Sequence, residues 1–179
     1  MPFLRTAASR PIVVAVVAVV VLAACAPNLD WREVRPEGVG ALALFPCKPS
    51  AQTRTVRLAG GNARMTLLAC TAGGTTWALA HADLTDAARV GPALGELRVA
   101  AAANLGATTA AELPLQVPGA TPNPAARRIE IVGHLPDGKP AREQVAVFSR
   151  GTQVFQATVL GERTGAEALE SFFGGLRLQ

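Results

Sequence analysis

Tight turn signals between short runs of alternating apolar and polar residues limit what this chain can fold into. Gly60-Gly61-Asn62 and Pro136-Asp137-Gly138-Lys139 are turn sequences that join two strands directly. Strands joined in this way pair antiparallel, because a parallel pair needs a crossover of a dozen or more residues. The segments that alternate as strands do lie at residues 39–45, 53–58, 63–70, 75–84, 126–134, 141–149 and 152–161, and "LRL" at 176–178 is a further short candidate.

One long segment carries a helical pattern. Within residues 86–105, apolar side chains recur at helical spacing, with Pro92 suited to a first turn and Gly106 to the C-terminal end. The pattern leaves the start open between Asp86 and Gly91-Pro92. The preceding strand has a flat face of alanines that favours close packing of this helix, while residues 107–125 are rich in proline and predict an irregular connection.

A second, shorter helix is predicted near the C-terminal end. Thr164-Gly165-Ala166-Glu167 fits a capping box, in which the Thr oxygen accepts from a free backbone N–H and the Glu reaches back. This helix would bury Leu169, Phe172 and Phe173. The order of strands, helix, strands, helix predicts an α+β fold with an antiparallel sheet of about six strands and two helices.

The first 29 residues have the pattern of a secretory signal peptide. Arg5 and Arg10 are their only charges, and an apolar run of about 15 residues follows at 12–26. A membrane-spanning helix needs about 20 residues. The alternative is an uncleaved N-terminal anchor with a buried cysteine.

The apolar run ends in Leu22-Ala23-Ala24-Cys25, which resembles the bacterial lipobox. The resemblance implies that Cys25 receives a diacylglycerol on its sulfur, that cleavage falls before it, and that the lipid holds the protein on a membrane. The next residue is Ala26 and not Asp, which by the sorting rules of two-membrane bacteria implies the outer membrane, with the folded part facing the periplasm. The predicted organisation is a signal peptide at 1–24, a tether at 25–29 and one α+β domain at 30–179.

The remaining two cysteines form an even pair. Cys47 and Cys70 in an oxidising compartment predict a disulfide, which would close a loop of 24 residues. The alternative is two free buried thiols. Two Cys without a nearby His fall short of the four ligands of a zinc site. A redox partner using this pair is a further hypothesis, although the spacing is not Cys-x-x-Cys.

The charge excess is small and argues against a nucleic-acid partner. The whole chain carries +4, and loss of the leader removes two arginines from that total. Arg54 with Arg57, and Arg127 with Arg128, could face anionic lipid heads, but charge runs of two are usually solvated surface.

Candidate catalytic groups are sparse. His81-Ala82-Asp83 could form a weak metal site or an acid–base pair, but one His and one Asp are too few for a metal, and a locally hydrogen-bonded His at a strand end is favoured. Ser50, Ser149 and Ser171 lie in no nucleophile motif, and no phosphate-binding loop is present in the sequence. We expect no cofactor, no metal and no catalytic residue. The alternative is an envelope hydrolase with a site near His81 and Asp83.

A series of short motifs along residues 31–179 matches the order found in a known superfamily. They are Leu42, Leu44, Phe45-Pro46, Pro49, Val117-Pro118-Gly119, Arg128, Phe148, Phe155 and Ser171-Phe172-Phe173. The series resembles the PsbP-like superfamily, whose known members are mainly binding or assembly modules around larger complexes. The resemblance implies the same α+β fold, and no functional residue carries over. The anchor signal combined with a compact domain that lacks catalytic groupings predicts a non-catalytic binding or accessory module with an envelope protein as partner. The chain departs from the pattern by placing Cys47 in the Phe-Pro turn and by lacking Tyr.

Overall fold

The computed structural model describes residues 29–107 and 110–179, which form two antiparallel sheets and two α-helices. The predicted antiparallel α+β class is therefore confirmed. The helices are α1 (Val90–Asn104) and α2 (Ala166–Gly174), and a single-turn 3-10 helix (Ala87–Arg89) leads into α1. The strands are β1 (Arg32–Val34), β2 (Ala41–Phe45), β3 (Ser50–Leu58), β4 (Gly61–Ala72), β5 (Thr75–Asp83), β6 (Ala110–Leu113), β7 (Arg127–His134), β8 (Pro140–Arg150), β9 (Gln153–Gly161) and β10 (Arg177–Leu178).

The described strands number ten, not the six or so expected from the sequence. Seven form one sheet in the order β3-β4-β5-β9-β8-β7-β6, and three form a second sheet in the order β1-β2-β10. Strand β6 lies within the connection that was predicted to be irregular, and it pairs with β7. Strands β1 and β10 flank β2 on its two edges. Strands β1, β6 and β10 are all short, and each is defined by its partner rather than by its own alternation.

The seven-stranded sheet has a core on each face. On one face, α1 covers a core that includes Leu94, Ile131 and Val145. On the other face, α2 and the small sheet cover a core of large aromatic side chains, which are Phe45, Trp77, Phe148, Phe155 and Phe172. The layers are therefore helix, large sheet, and small sheet with a helix.

Predicted core faces are largely correct. Phe155, Ala157 and Val159 of β9 are buried together on the aromatic face, as the alternation predicts. The alanine face of β5 is buried, but only Ala82 belongs to the core beneath α1, because that helix lies mainly over β8 and β9.

Both predicted starting positions of the first helix correspond to a feature of the structure, the first to a 3-10 turn and the second to the start of α1. The Asp86 carboxylate accepts a hydrogen bond from the Ala88 N–H at 2.9 Å and caps the 3-10 turn, after which the α-helix begins at Val90. Pro92 lies in the first turn, and Gly106 ends the segment with a φ of +62°.

The predicted capping box of α2 is wrong. The N-cap residue is Gly165, and it makes no side-chain capping bond. The Thr164 hydroxyl instead lies 3.2 Å from the hydroxyl of Thr75, a buried residue of β5. A long-range partner therefore takes the oxygen that the local pattern assigned to the helix. Phe172 and Phe173 are buried as predicted, whereas Leu169 is only partly buried.

No helix within residues 29–107 and 110–179 combines the length and the apolarity needed to cross a bilayer.

Candidate functional site

A pocket of about 310 Å³ lies between α2 and the connection from β6 to β7. Its walls are mostly apolar and come from Pro114, Leu115, Pro118 and Phe173. Its polar lining comes from Gln116, Arg128 and Glu170. We call it the Arg128 pocket. Its size falls at the lower end of the range typical of small-molecule sites, and few polar groups in an apolar wall are typical of such sites.

Backbone hydrogen bonds fix the loop that forms one wall of the pocket. The Leu178 N–H donates to the Pro118 carbonyl at 2.8 Å, so that β10 holds the loop. The Thr121 N–H donates to the Ser149 carbonyl at 2.7 Å, which ties the same loop to β8. Gly119 lies between these bonds with a φ of +81°, and a Cβ there would overlap the Leu178 carbonyl oxygen. The wall is therefore anchored to both sheets.

Arg128 is the buried charge of the pocket. It projects from β7, and the residue is only 8% exposed. Its guanidinium carbon lies 4.0 Å from the ring centroid of Phe173, a cation–π geometry that orients the planar group. Its Nη2 donates to Gln144 Oε1 at 2.8 Å and, more weakly, to Glu170 Oε1 at 3.3 Å.

The Nε of Arg128 is buried and has no hydrogen-bond partner among the described residues. An unpartnered buried donor on a charged group is costly, and native structures contain few of them. The guanidinium therefore keeps hydrogen-bonding capacity that the described residues do not use.

A row of hydrogen bonds across β7 and β8 holds Arg128 from behind. Gln144 accepts from Arg128 and donates through Nε2 to Glu130 Oε2 at 3.0 Å. The other oxygen of Glu130 accepts from Arg142 Nη1 at 2.7 Å. This row fixes the amide orientation of Gln144, and it therefore presents an acceptor, not a donor, to Arg128.

Arg128 corrects the expectation from the sequence that the Arg127–Arg128 pair is solvated surface. Arg127 is partly exposed and forms an ion pair with Glu112, but Arg128 is buried. The sequence contains one signal for this difference. Ile129 and Ile131 point to one face of the strand, and Arg128, which directly precedes Ile129 in the sequence, must point to the opposite face. That this face is also covered is a result of α2 packing on it.

His81 and Asp83 share one face of β5, as predicted, but they form no catalytic arrangement with a serine there. Asp83 Oδ1 accepts from the Thr152 hydroxyl and from the Thr85 N–H, both at 2.8 Å, and so it closes the turn after β5. His81 is half-buried beside Phe155, and burial lowers its pKa. Within the described part of the chain it has no hydrogen bond, which differs from the expected locally bonded histidine.

The serines of β3 and β8 lie away from His81. The register places Ser50 opposite Ala69 and Ser149 opposite Val154, which is the α1 side of the sheet, whereas His81 pairs with Thr66 and Phe155 on the other side. Across residues 29–107 and 110–179, no group of three His, Cys, Asp or Glu residues is placed to hold a metal ion.

The structure contains the disulfide between Cys47 and Cys70 that the sequence predicts, with their Cα atoms 6.0 Å apart. Cys47 follows β2 of the small sheet, and Cys70 lies in β4 of the large sheet. The bond therefore joins the two sheets beside the aromatic core, and the alternative of two free buried thiols is wrong. Cys25, the predicted lipidation site, lies outside the described residues, as do the predicted signal peptide and most of the predicted tether.

No family model matches the chain, and no curated protein matches it. A crystal structure from Bacteroides thetaiotaomicron VPI-5482 is similar at 10% sequence identity, over 84% of this chain and 42% of that chain, with a TM-score of 0.31. This chain thus spans less than half the length of that protein. A similarity at this level supports no argument about function, which must come from the residues themselves.

Proposed function

We propose that the protein is a membrane-anchored envelope lipoprotein whose folded part is a non-catalytic binding or accessory module. The observation that carries the proposal is the sequence Leu22-Ala23-Ala24-Cys25 at the end of a short apolar run that follows Arg5 and Arg10. Lipid on Cys25 would anchor the protein firmly, because each buried CH₂ contributes about 0.8 kcal/mol and several acyl chains are attached.

The disulfide supports this location. Disulfides persist in oxidising compartments such as the bacterial periplasm and are rare in the cytosol. A bond between Cys47 and Cys70 therefore fits a domain that folds after export. The residue after the lipidated cysteine is Ala26, which in a two-membrane bacterium directs the protein to the outer membrane, facing the periplasm.

The binding role has two supports. The motif series from Leu42 to Phe173 resembles the PsbP-like superfamily, whose members are mainly binding or assembly modules, and we assign the fold to that superfamily as part of the proposal. The Arg128 pocket offers a small apolar concavity with one ordered charge, which suits binding. The partners are the membrane, through the lipid, and an envelope protein.

Processing of the leader is the direct test. The full-length chain expressed in a two-membrane bacterium should incorporate a palmitate analogue, and globomycin should cause an unprocessed precursor to accumulate. Cys25→Ala should abolish labelling, whereas the matched control Ala26→Ser should be labelled and sorted as the parent is. Ala26→Asp should still be labelled but should fractionate with the inner membrane.

A mature chain that begins at Met1, or a chain without label, would refute the anchor. The accessory role is tested by affinity capture of the lipidated protein from its native membrane after crosslinking. One envelope protein should be recovered in constant ratio with the parent and lost with Cys25→Ala. Recovery of the bait alone from the parent would contradict the accessory role.

A further inference from the structure

We propose that the Arg128 pocket binds a small organic monocarboxylate with an apolar body. This assigns a ligand class to the binding module and so rests on the proposed function. The site is defined by the buried guanidinium of Arg128, its stacking on Phe173 and the apolar wall formed by the loop after β6.

The shape and lining of the pocket require an apolar ligand body. Pro114, Leu115, Pro118 and Phe173 supply carbon surface around a volume of about 310 Å³. Burial of apolar ligand surface against such walls is favourable in proportion to its area. Hydrogen bonds at Pro118 and Thr121 hold the loop to both sheets, so little ordering of the wall is needed when a ligand enters.

The charge of Arg128 selects an anion, and its geometry favours a planar one. A guanidinium presents its N–H groups in a fixed fork that matches a carboxylate, with two parallel hydrogen bonds. Phe173 and Gln144 already hold this fork in one orientation. Of the two acceptors on Nη2, Glu170 is the more distant, at 3.3 Å against 2.8 Å for Gln144, so a ligand carboxylate can take its place on the guanidinium.

Glu170 limits the ligand to a single negative charge. Arg128 and Glu170 are the charged residues that line the pocket, and their side chains approach to 3.3 Å. A dianion would face one cation and one nearby carboxylate, which leaves it uncompensated. The Glu170 side chain is 73% exposed, so it can turn to solvent when a ligand carboxylate replaces it on Arg128.

The test compares ligands of one shape that differ in charge. The mature lipidated chain in nanodiscs is titrated by calorimetry, at a pH alkaline enough to keep phenethylphosphonate a dianion. The ligands are hydrocinnamate, its neutral amide hydrocinnamide and phenethylphosphonate, and empty nanodiscs give the blank. Hydrocinnamate should bind at least about tenfold more tightly than hydrocinnamide, because charge-assisted hydrogen bonds are strong when partly buried. The phosphonate should bind more weakly than hydrocinnamate.

Variants locate the binding in the pocket. Arg128→Gln should weaken hydrocinnamate binding by about tenfold or more. Glu170→Gln should tighten it by about two- to fivefold, because the competing surface ion pair is removed. The matched control is Glu162→Gln, which removes the same charge from another exposed ion pair, with Arg163, and should leave binding unchanged.

Each of the following outcomes would overturn the proposal. They are equal binding of acid and amide, tighter binding of the phosphonate, and equal effects of Glu170→Gln and Glu162→Gln. Absence of any binding would also overturn it. Glu170→Gln alters only an exposed side chain, so it still decides the matter if Arg128→Gln fails to fold. A lipidated chain that binds no probe would refute this ligand class alone, whereas an unlipidated chain that binds hydrocinnamate would refute the anchor alone.

Discussion

Glu143 should make the stability of this protein fall as the pH rises through neutrality. The residue lies on β8, opposite Ile131 of β7 and Leu160 of β9, and it is only 6% exposed. Among the described residues its carboxyl group forms neither an ion pair nor a hydrogen bond. Burial therefore raises the pKa of Glu143 from 4.5 to about 7.

The sign and size of the effect follow from linkage. Between pH 4.5 and about 7 the folded protein keeps a proton on Glu143 that the unfolded chain releases. The contribution of this proton to the free energy of unfolding is therefore fully present below the unfolded pKa. It is lost as the pH rises through the folded pKa. At about 1.4 kcal/mol per pH unit, the full loss by pH 8 is about 3 kcal/mol, as an upper limit.

The substitution that tests this is Glu143→Gln, because an amide of the same shape stays neutral at every pH. The variant and the parent should have similar free energies of unfolding at about pH 5, whereas at about pH 8 the variant should be more stable by up to about 3 kcal/mol. Urea unfolding at intervals of pH measures the difference. Glu162→Gln, on an exposed side chain, is the control and should change stability by less than about 0.5 kcal/mol at both pH values. A constant difference between Glu143→Gln and the parent across this range would refute the reasoning.

Two further predictions concern the joints between the sheets. Replacing Cys47 and Cys70 by Ala should lower the free energy of unfolding, measured in urea, by about 3 kcal/mol. Reduction of the parent before unfolding should give the same value. No loss would show that the closed loop constrains the unfolded chain little. Gly119→Ala should lower the free energy of unfolding, measured by thermal unfolding, by more than about 2 kcal/mol, because a Cβ would overlap the Leu178 carbonyl. Gly138→Ala is the control, since Gly138 has a similar φ but open space around it, and it should cost only about 1 kcal/mol. Similar losses for the two variants would contradict the steric argument.

Features set by neighbouring residues were predictable. The turns at Gly60-Gly61 and Pro136-Asp137-Gly138 join the strands that they were expected to join, because turn chemistry depends on the φ and ψ of a few adjacent residues. The span of α1 agrees to within a few residues, since its apolar spacing and Gly106 act locally. The disulfide could be predicted because three cysteines minus one predicted lipid site leave a pair.

Features that need a distant partner were missed or only suggested. The pattern at 176–178 offered a short candidate for β10, which has two residues and forms on an edge that β2, far earlier in the chain, provides. Strand β6 likewise forms on the edge that β7 provides. The Thr164 capping box failed for the same reason, because the hydroxyl that the local pattern needed is used by Thr75, 89 residues away.

Arg128 illustrates which structural properties the sequence alone determines and which depend on tertiary packing. The alternation of β7 determined by itself that Arg128 and Ile129 lie on opposite faces of a strand, because successive side chains of extended backbone point to opposite sides. The sequence likewise determined the antiparallel class, the first-turn proline of α1 and the pairing of the cysteines.

Only the tertiary structure decided that Arg128 is buried, stacked on Phe173 and held by Gln144 above a pocket. The residues that enclose it come from three separate elements, and Glu170 is 42 positions away along the chain. Burial and the choice of hydrogen-bond partner depend on which surfaces meet when the sheet and α2 pack, and that is a property of the whole chain and not of any short stretch.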